Sequence, residues 1–412
     1  MKKWQYNRLM TILLMIPLVS LYSFSLDLYL PLLPQVAHDL NASIISMQNG
    51  NSIFMLTIGL GQLLFGPTSD YFGRKPILIF SLITYISGAF LTVFTTSINF
   101  FILSRGLQAM GACGTYLCCF ASIRDIFDDE NESAEMFSYL NIANSISAII
   151  APTIGAIIGS YYPWKVIFMI LTTFSSLSLV YAYYIYTETS NVANSGKNGN
   201  ALKNAFSNYN KIFRNINYQI FTLPAAVGIA SFFAYYCVSP YLYQQVIGTS
   251  TVQYGMLYGS CGLTFFLGSY FCGKTLAKHG ITKTMWIGLC FHLLGAITLV
   301  TGYLYFHQTL LSFTHAGIIM ILFGASYMVG AGIGGTMAPF QEIAGSAFAL
   351  ISAYKFVFAQ IIGDIVMRFY DANPLSLGLA LIACNLVAIS LLFLFQNKLV
   401  IKDNKETITV AS

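Results

Sequence analysis

Apolar runs long enough to cross a bilayer recur along the whole chain, and a helix needs roughly 20 such residues to span one. Read at that length, the 412 residues divide into spans near 10–33, 46–67, 76–96, 99–121, 136–159, 164–186, 217–239, 253–274, 284–305, 313–336, 345–369 and 376–396. Hydrocarbon offers no partner to an exposed backbone group, so such runs must cross as helices. Only 8% of the residues are charged, against about a quarter in soluble domains. The expectation is an all-α polytopic membrane protein with about twelve transmembrane helices.

The charges that remain fall between the runs. Gly66 to Leu78 reads GPTSDYFGRKPIL, with an acid, two cations, two glycines and two prolines. It predicts a tight turn at a membrane face, and Arg74 and Lys75 mark that face as cytoplasmic. Lys2, Lys3, Arg8, Arg124, Lys197, Lys203, Lys211, Arg214, Lys278, Lys283, Lys398, Lys402 and Lys405 fall on the same side, with Lys165 the main exception. This bias predicts both termini in the cytoplasm. The basic start imitates a signal peptide, but the run after it continues past Pro17 to about Leu33 without a small-residue cleavage site, which predicts a first span. The net charge of +5 sits mostly in loops, so it concerns topology and not nucleic acid. Eight cysteines all fall in apolar segments without metal-site spacing and read as packing residues. A polar stretch from Thr187 to Asn217 interrupts the pattern, and Leu202 to Phe213 within it predicts an amphipathic surface helix. It divides the chain into a six-helix half (1–187), a cytoplasmic linker (188–216) and a second half with a short cytoplasmic tail (217–412).

Several motifs carry a resemblance. GPTSDYFGRKPIL is similar to the major facilitator loop signature, with Gly66, Asp70, Gly73, Arg74 and Lys75 matching; Gly273, Lys274 and Gly280 keep a degenerate counterpart. Arg105, Gly106, Gln108 and Gly111 resemble the family's fourth-span motif, and Pro152, Gly155 and Gly159 its fifth-span antiporter motif. LDLYLPLLPQVAHDL, VSPYLYQQVIGTSTVQYG and AGSAFAL look like the Bcr/CflA group of drug–proton antiporters. The resemblance implies two six-helix halves, each with inverted three-helix repeats. It further implies a monomeric inner-membrane transporter that exports an amphipathic drug or small metabolite, a siderophore among the candidates. Multidrug efflux of this kind is driven by the proton gradient and needs no other cofactor. The alternatives are a proton symporter importing an anionic metabolite or siderophore, and a transport-inactive sensor. No nucleotide loop, catalytic triad or metal cluster suggests an enzyme.

Asp27 stands about 17 residues into the first span, roughly 25 Å along the helix. An ionisable group at such depth is costly and reads as functional; here it is the candidate proton carrier, on one stripe with Ser20 and Ser23. Arg105, at comparable depth, stays charged and needs partners, which predicts an Asp27–Arg105 pair in one protonation state. The family's fourth-span arginine is linked to proton transfer. Lys355 stands mid-span where related proteins commonly have Gln, and its expected partner is another acid or an anionic substrate group. Asp364 falls on the opposite side of that helix and is spaced to pair with Arg368 at i,i+4. Tyr22, Tyr29, Tyr236 and Gln244 suit the lining of an amphipathic pocket. Asp70, Gly73, Arg74 and Lys75 read as a gate whose charges meet partners in the other half. Within the Pro152, Gly155 and Gly159 motif, Gly155 and Gly159 are spaced small-xxx-small and let the fifth span approach a neighbour closely. His292 and His315 read as packing histidines, and Arg124, Asp125 and residues 128–132 as a solvated loop.

Overall fold

Helices account for every crossing in the computed structural model, which describes residues 6–127, 130–189, 201–337, 339–340 and 344–395; no strand occurs among them. The crossing elements are α1 (Arg8–Asp27), continued by a short 3-10 turn (Leu30–Leu32) and α2 (Leu33–Asp39), then α3 (Ile44–Phe72), α4 (Arg74–Val93), α5 (Ile98–Ile126), α6 (Glu130–Tyr161) and α7 (Lys165–Tyr184). After α8 (Ala201–Phe213) come α9 (Ile216–Tyr241), α10 (Thr251–Phe306), α11 (Leu311–Met337), α12 (Ala344–Arg368) and α13 (Leu375–Phe395). Eleven helical stretches are long and apolar enough to cross a membrane. One of them, α10, has 56 residues, about 84 Å of helix. It bends at Gly280, whose φ of 76° leaves the helical region, so it crosses twice and the total is the expected twelve.

Local chemistry explains the ends. Asn7, Ser43, Ser97 and Ser250 cap α1, α3, α5 and α10 with side-chain oxygens, the residue types that best satisfy the free N–H groups of a first turn. Gly73 joins α3 to α4 with φ 99°, a conformation that a residue with a Cβ rarely adopts. The first crossing differs from the continuous helix expected. It extends to Asp39 and breaks after Asp27, where Pro31 has no N–H to continue the ladder.

Within the first six crossings α5 packs on α3 and α4, α4 on α7, and α1 on α6. Within the last six α9 packs on α11 and α12, and the two arms of α10 pack on α11 and α13. Two helix pairs carry most of the contact between the sets: α3 against α12, and α6 against α10. The linker helix α8 also touches both sets, through α3 on one side and α9 and α12 on the other. Its Ile212 is buried in a cluster with Tyr218, Ala347 and Ile351, and the Tyr209 hydroxyl donates to the Leu63 carbonyl at 3.5 Å. Burial, then the nearby Asp70 carboxylate, raises the Tyr209 phenol above its ordinary range. The amphipathic helix read from sequence is therefore present, and it straddles both sets of helices.

Candidate functional site

The break in α1 builds the site. Where a helix stops, its last carbonyls lose their partners. Arg105, on α5 and wholly buried, supplies one of them by donating to Ser25 O at 2.9 Å, and its guanidinium also bonds the Gln108 side chain. The guanidinium carbon lies 4.6 Å from the centre of the Tyr29 ring and 4.4 Å from that of Phe54. Two aromatic faces and a carbonyl thus hold the cation. The expected Asp27–Arg105 pair is absent: Arg105 forms no ion pair among the described residues. Tyr29, expected to line a pocket, is engaged elsewhere. Its ring lies against Arg105 and its hydroxyl donates to Asn51 Oδ1 at 2.5 Å.

Asp27 lines a cavity of about 180 Å³ between the two sets of helices, together with Tyr22, Tyr236, Asn144, Phe232 and Phe265. It is only 6% exposed, and no hydrogen bond or ion pair to its carboxyl group occurs among the described residues. The Tyr236 hydroxyl donates to Leu26 O at 3.1 Å and so ties α9 to the broken end of α1. The serine stripe does something other than extend the site. Ser23 donates to Asn144 Oδ1 at 2.7 Å and Ser147 to Ser20 at 3.0 Å, which fastens α1 to α6.

Lys355 lines a second, smaller cavity of about 80 Å³ with Tyr22, Tyr116, Gln62, Ser352 and Phe356. Tyr22 and Phe356 belong to both cavities. Asp364 does not pair with Arg368 as its spacing predicts; it accepts a hydrogen bond from Ser52 on α3 at 2.8 Å. Gln244 also departs from expectation. It reaches across to donate to Pro31 O at 2.8 Å and lines neither cavity.

Asp70, Gly73, Arg74 and Lys75 lie at the expected turn, but among the described residues their partners come from the first six crossings and from Glu188 just after α7, and not from the other set. Arg74 pairs with Asp70 at 2.6 Å and with Asp125 at 2.8 Å. The Glu188 carboxylate accepts from the backbone N–H of Arg74 at 2.8 Å and of Lys75 at 3.0 Å, at the positive end of α4 where an anion is favoured. A Cβ on Gly73 would collide with Glu188. Lys75 Nζ donates to Tyr183 O at 2.8 Å. Asp125 is thus part of this network and not of a solvated loop, while residues 128–129 lie outside the described residues. Asp125 and Glu188 were missed from sequence because each looks like an ordinary acid at a helix end.

Pro152, Gly155 and Gly159 have two neighbours. A Cβ on Gly155 would strike the Leu28 carbonyl and one on Gly159 the Leu32 side chain, so α6 fits against the break in α1. On its other side Gly255 of α10 lies against Pro152 and Ala156, and Thr153 donates to Gly255 O at 3.2 Å. His292 is buried between Ser231 at 2.6 Å and Asn385 at 2.8 Å, and His315 bonds Tyr243 and Ser260, each at 3.0 Å. Both are satisfied within the protein.

Comparison with known proteins agrees with this architecture. The sequence profile described as Major Facilitator Superfamily matches residues 15–367. A protein named chloramphenicol resistance protein from Pseudomonas aeruginosa is 26% identical over 90% of this chain and 86% of its own length. Multidrug resistance protein MdtL of Vibrio parahaemolyticus is 27% identical over 81% of this chain and 82% of its own. Multidrug resistance protein D of Escherichia coli is 21% identical over 92% and 93%. Among solved structures, the nucleoside transporter NupG superposes with a TM-score of 0.70 at 14% identity, covering 94% of this chain and all of that one.

Proposed function

This chain belongs to the Major Facilitator Superfamily, and we propose that it is a proton-coupled transporter exporting amphipathic small molecules across the bacterial inner membrane by alternating access. One observation carries the coupling: the Asp27 carboxyl group, deep between the two sets of helices, lines the cavity without an internal partner. A buried acid so placed exchanges its proton with whatever enters the chamber. Names of the relatives, drug-resistance proteins over most of their length, support drugs as the cargo. The two six-helix units, 1–187 and 217–412, rock about this chamber as a monomer.

Tyr22 and Tyr236 contact the substrate, and Arg105 holds the end of α1 that presents Asp27. Asp70, Gly73, Arg74 and Lys75 act as a gate by fixing the α3–α4 turn to Asp125 and Glu188. The face carrying Arg74, Lys75, Lys211, Arg214, Lys278 and Lys283 is cytoplasmic, with both termini, because basic residues are retained there.

Purified protein in proteoliposomes holding a pH-sensitive dye tests this, with chloramphenicol as the neutral probe. An imposed pH gradient drives chloramphenicol against the proton flow in the native protein. Asp27→Asn is expected to lower that flux by at least about tenfold, since one wrong-state charge at such a site outweighs 1.4 kcal/mol, with insertion unchanged. Full gradient-driven flux in Asp27→Asn would remove Asp27 from the coupling role.

A further inference from the structure

We propose that the two adjacent cavities together form a dipolar chamber selective for zwitterionic amphipaths, compounds with a carboxylate at one end, an ammonium at the other and an apolar body between. This assignment rests on the export function proposed above and names its substrate class. It begins with Lys355. That residue is 7% exposed, lines the smaller cavity, and its ammonium finds no hydrogen bond or ion pair among the described residues. A charge buried without a partner is expensive, and lysines that serve only structure inside a membrane bundle pair with an acid or a carbonyl. Here the acid on the same helix, Asp364, is bonded to Ser52 instead.

The groups around Lys355 suit an incoming carboxylate. Tyr22, Tyr116, Gln62 and Ser352 line the same small cavity, and no hydrogen bond from their side-chain donors to the protein occurs among the described residues. A cation ringed by uncommitted neutral donors is the usual recognition set for a carboxylate. The opposite pole is Asp27, in the larger cavity. Tyr22 and Phe356 line both cavities and pack edge to face with ring centres 6.4 Å apart, so they form the partition that swings aside for one molecule to touch both poles. Phe232, Phe233, Phe265 and Phe266 offer its body an apolar, aromatic surface.

Opposite charges at the two ends fix the orientation of the ligand. Its acid is drawn to Lys355 and repelled by Asp27, and its ammonium the reverse. The arrangement also supplies the antiport logic. The substrate ammonium and the proton both occupy the Asp27 carboxylate, so each displaces the other, and by linkage the competition is equal in both directions. A purely anionic substrate would instead bind better after Asp27 is protonated and would travel with the proton.

Ciprofloxacin provides a matched series: the zwitterion itself, its methyl ester (a cation) and its N-acetyl derivative (an anion). Equilibrium binding of each is measured to native protein, Lys355→Gln and Lys355→Arg in lipid nanodiscs, with thermal unfolding recorded to confirm folding. The zwitterion is expected to bind the native protein at least about tenfold more tightly than either derivative, as for one desolvated charge pair. Lys355→Gln removes the advantage over the ester and leaves the ester's own affinity within about twofold, while Lys355→Arg keeps part of the advantage. Equal affinity of the native protein for all three probes, no binding of any, or an unchanged preference in Lys355→Gln would overturn the proposal. Chloramphenicol flux in proteoliposomes reads the export function separately, so that function can stand when the dipolar chamber falls.

Discussion

Arg105 shows how much one buried side chain can hold in place. Its planar guanidinium is pressed between Tyr29 and Phe54 and reaches both Ser25 O and Gln108. A lysine there keeps the charge but loses the flat face and the fork of donors. Each desolvated cation–π contact contributes up to about 2 kcal/mol. Arg105→Lys should therefore lower the thermal stability of the purified protein by about 2 kcal/mol or more, and reduce gradient-driven chloramphenicol flux well below native. An unchanged melting temperature and flux would mean that charge alone matters at this position. The sequence made Arg105 and Asp27 conspicuous, because ionisable groups so deep in apolar runs have few bland explanations. Their partners were not legible. Helical spacing tells which residues share a stripe, but not how far a span is rotated toward each neighbour. The Ser20–Ser23 stripe accordingly met α6, and Asp364 turned to Ser52 on another helix instead of Arg368 one turn away.

At the scale of elements, α6 acts as a wedge. Its Gly155 lies against the broken end of α1, where even a methyl group would overlap the Leu28 carbonyl. Gly155→Ala should push α6 away and cost about 1–3 kcal/mol, the usual penalty of overpacking a tight interface. Gly66→Ala, whose Cβ would meet nothing within 4 Å, is the control. Thermal unfolding of both variants decides it, and equal stability of the two would show that α6 yields freely. The crossings themselves were readable, since roughly 20 apolar residues are a physical minimum and little else competes for such runs. The break at Asp27 was not. Pro17 sits inside α1 without ending it, while Pro31 follows a stop, and nothing local distinguishes the two. What differs is tertiary: Arg105 is present to take over an unpaired carbonyl.

For the whole molecule, polar contacts between the two sets of helices gather on the face opposite Arg8 and Phe395. Ser52 meets Asp364, Gln244 meets Pro31, and Thr153 meets Gly255, all toward that face. The Asp27 cavity lies on the Arg8 and Phe395 side of the α6–α10 contact, as its lining by Asn144, Ser145 and Phe265 indicates. The cross-links thus lie on one side of the chamber, where the Ser52–Asp364 bond is placed to act as a latch. A hydrogen bond to a charged carboxylate contributes about 1.5–3 kcal/mol, and 1.4 kcal/mol is tenfold in a two-state population. If rocking of the two units drives transport, Ser52→Ala should raise the population open on the latch side by about tenfold. Spin labels at Tyr161 on α6 and Phe369 just past α12, both largely exposed on that face, report the separation. The variant is expected to gain a longer-distance component that the native protein lacks, and Asp364→Asn should add less of it because an amide still accepts from Ser52. Identical distance distributions in native protein and Ser52→Ala would mean that the apolar α3–α12 and α6–α10 seams, and not the latch, keep the chamber closed.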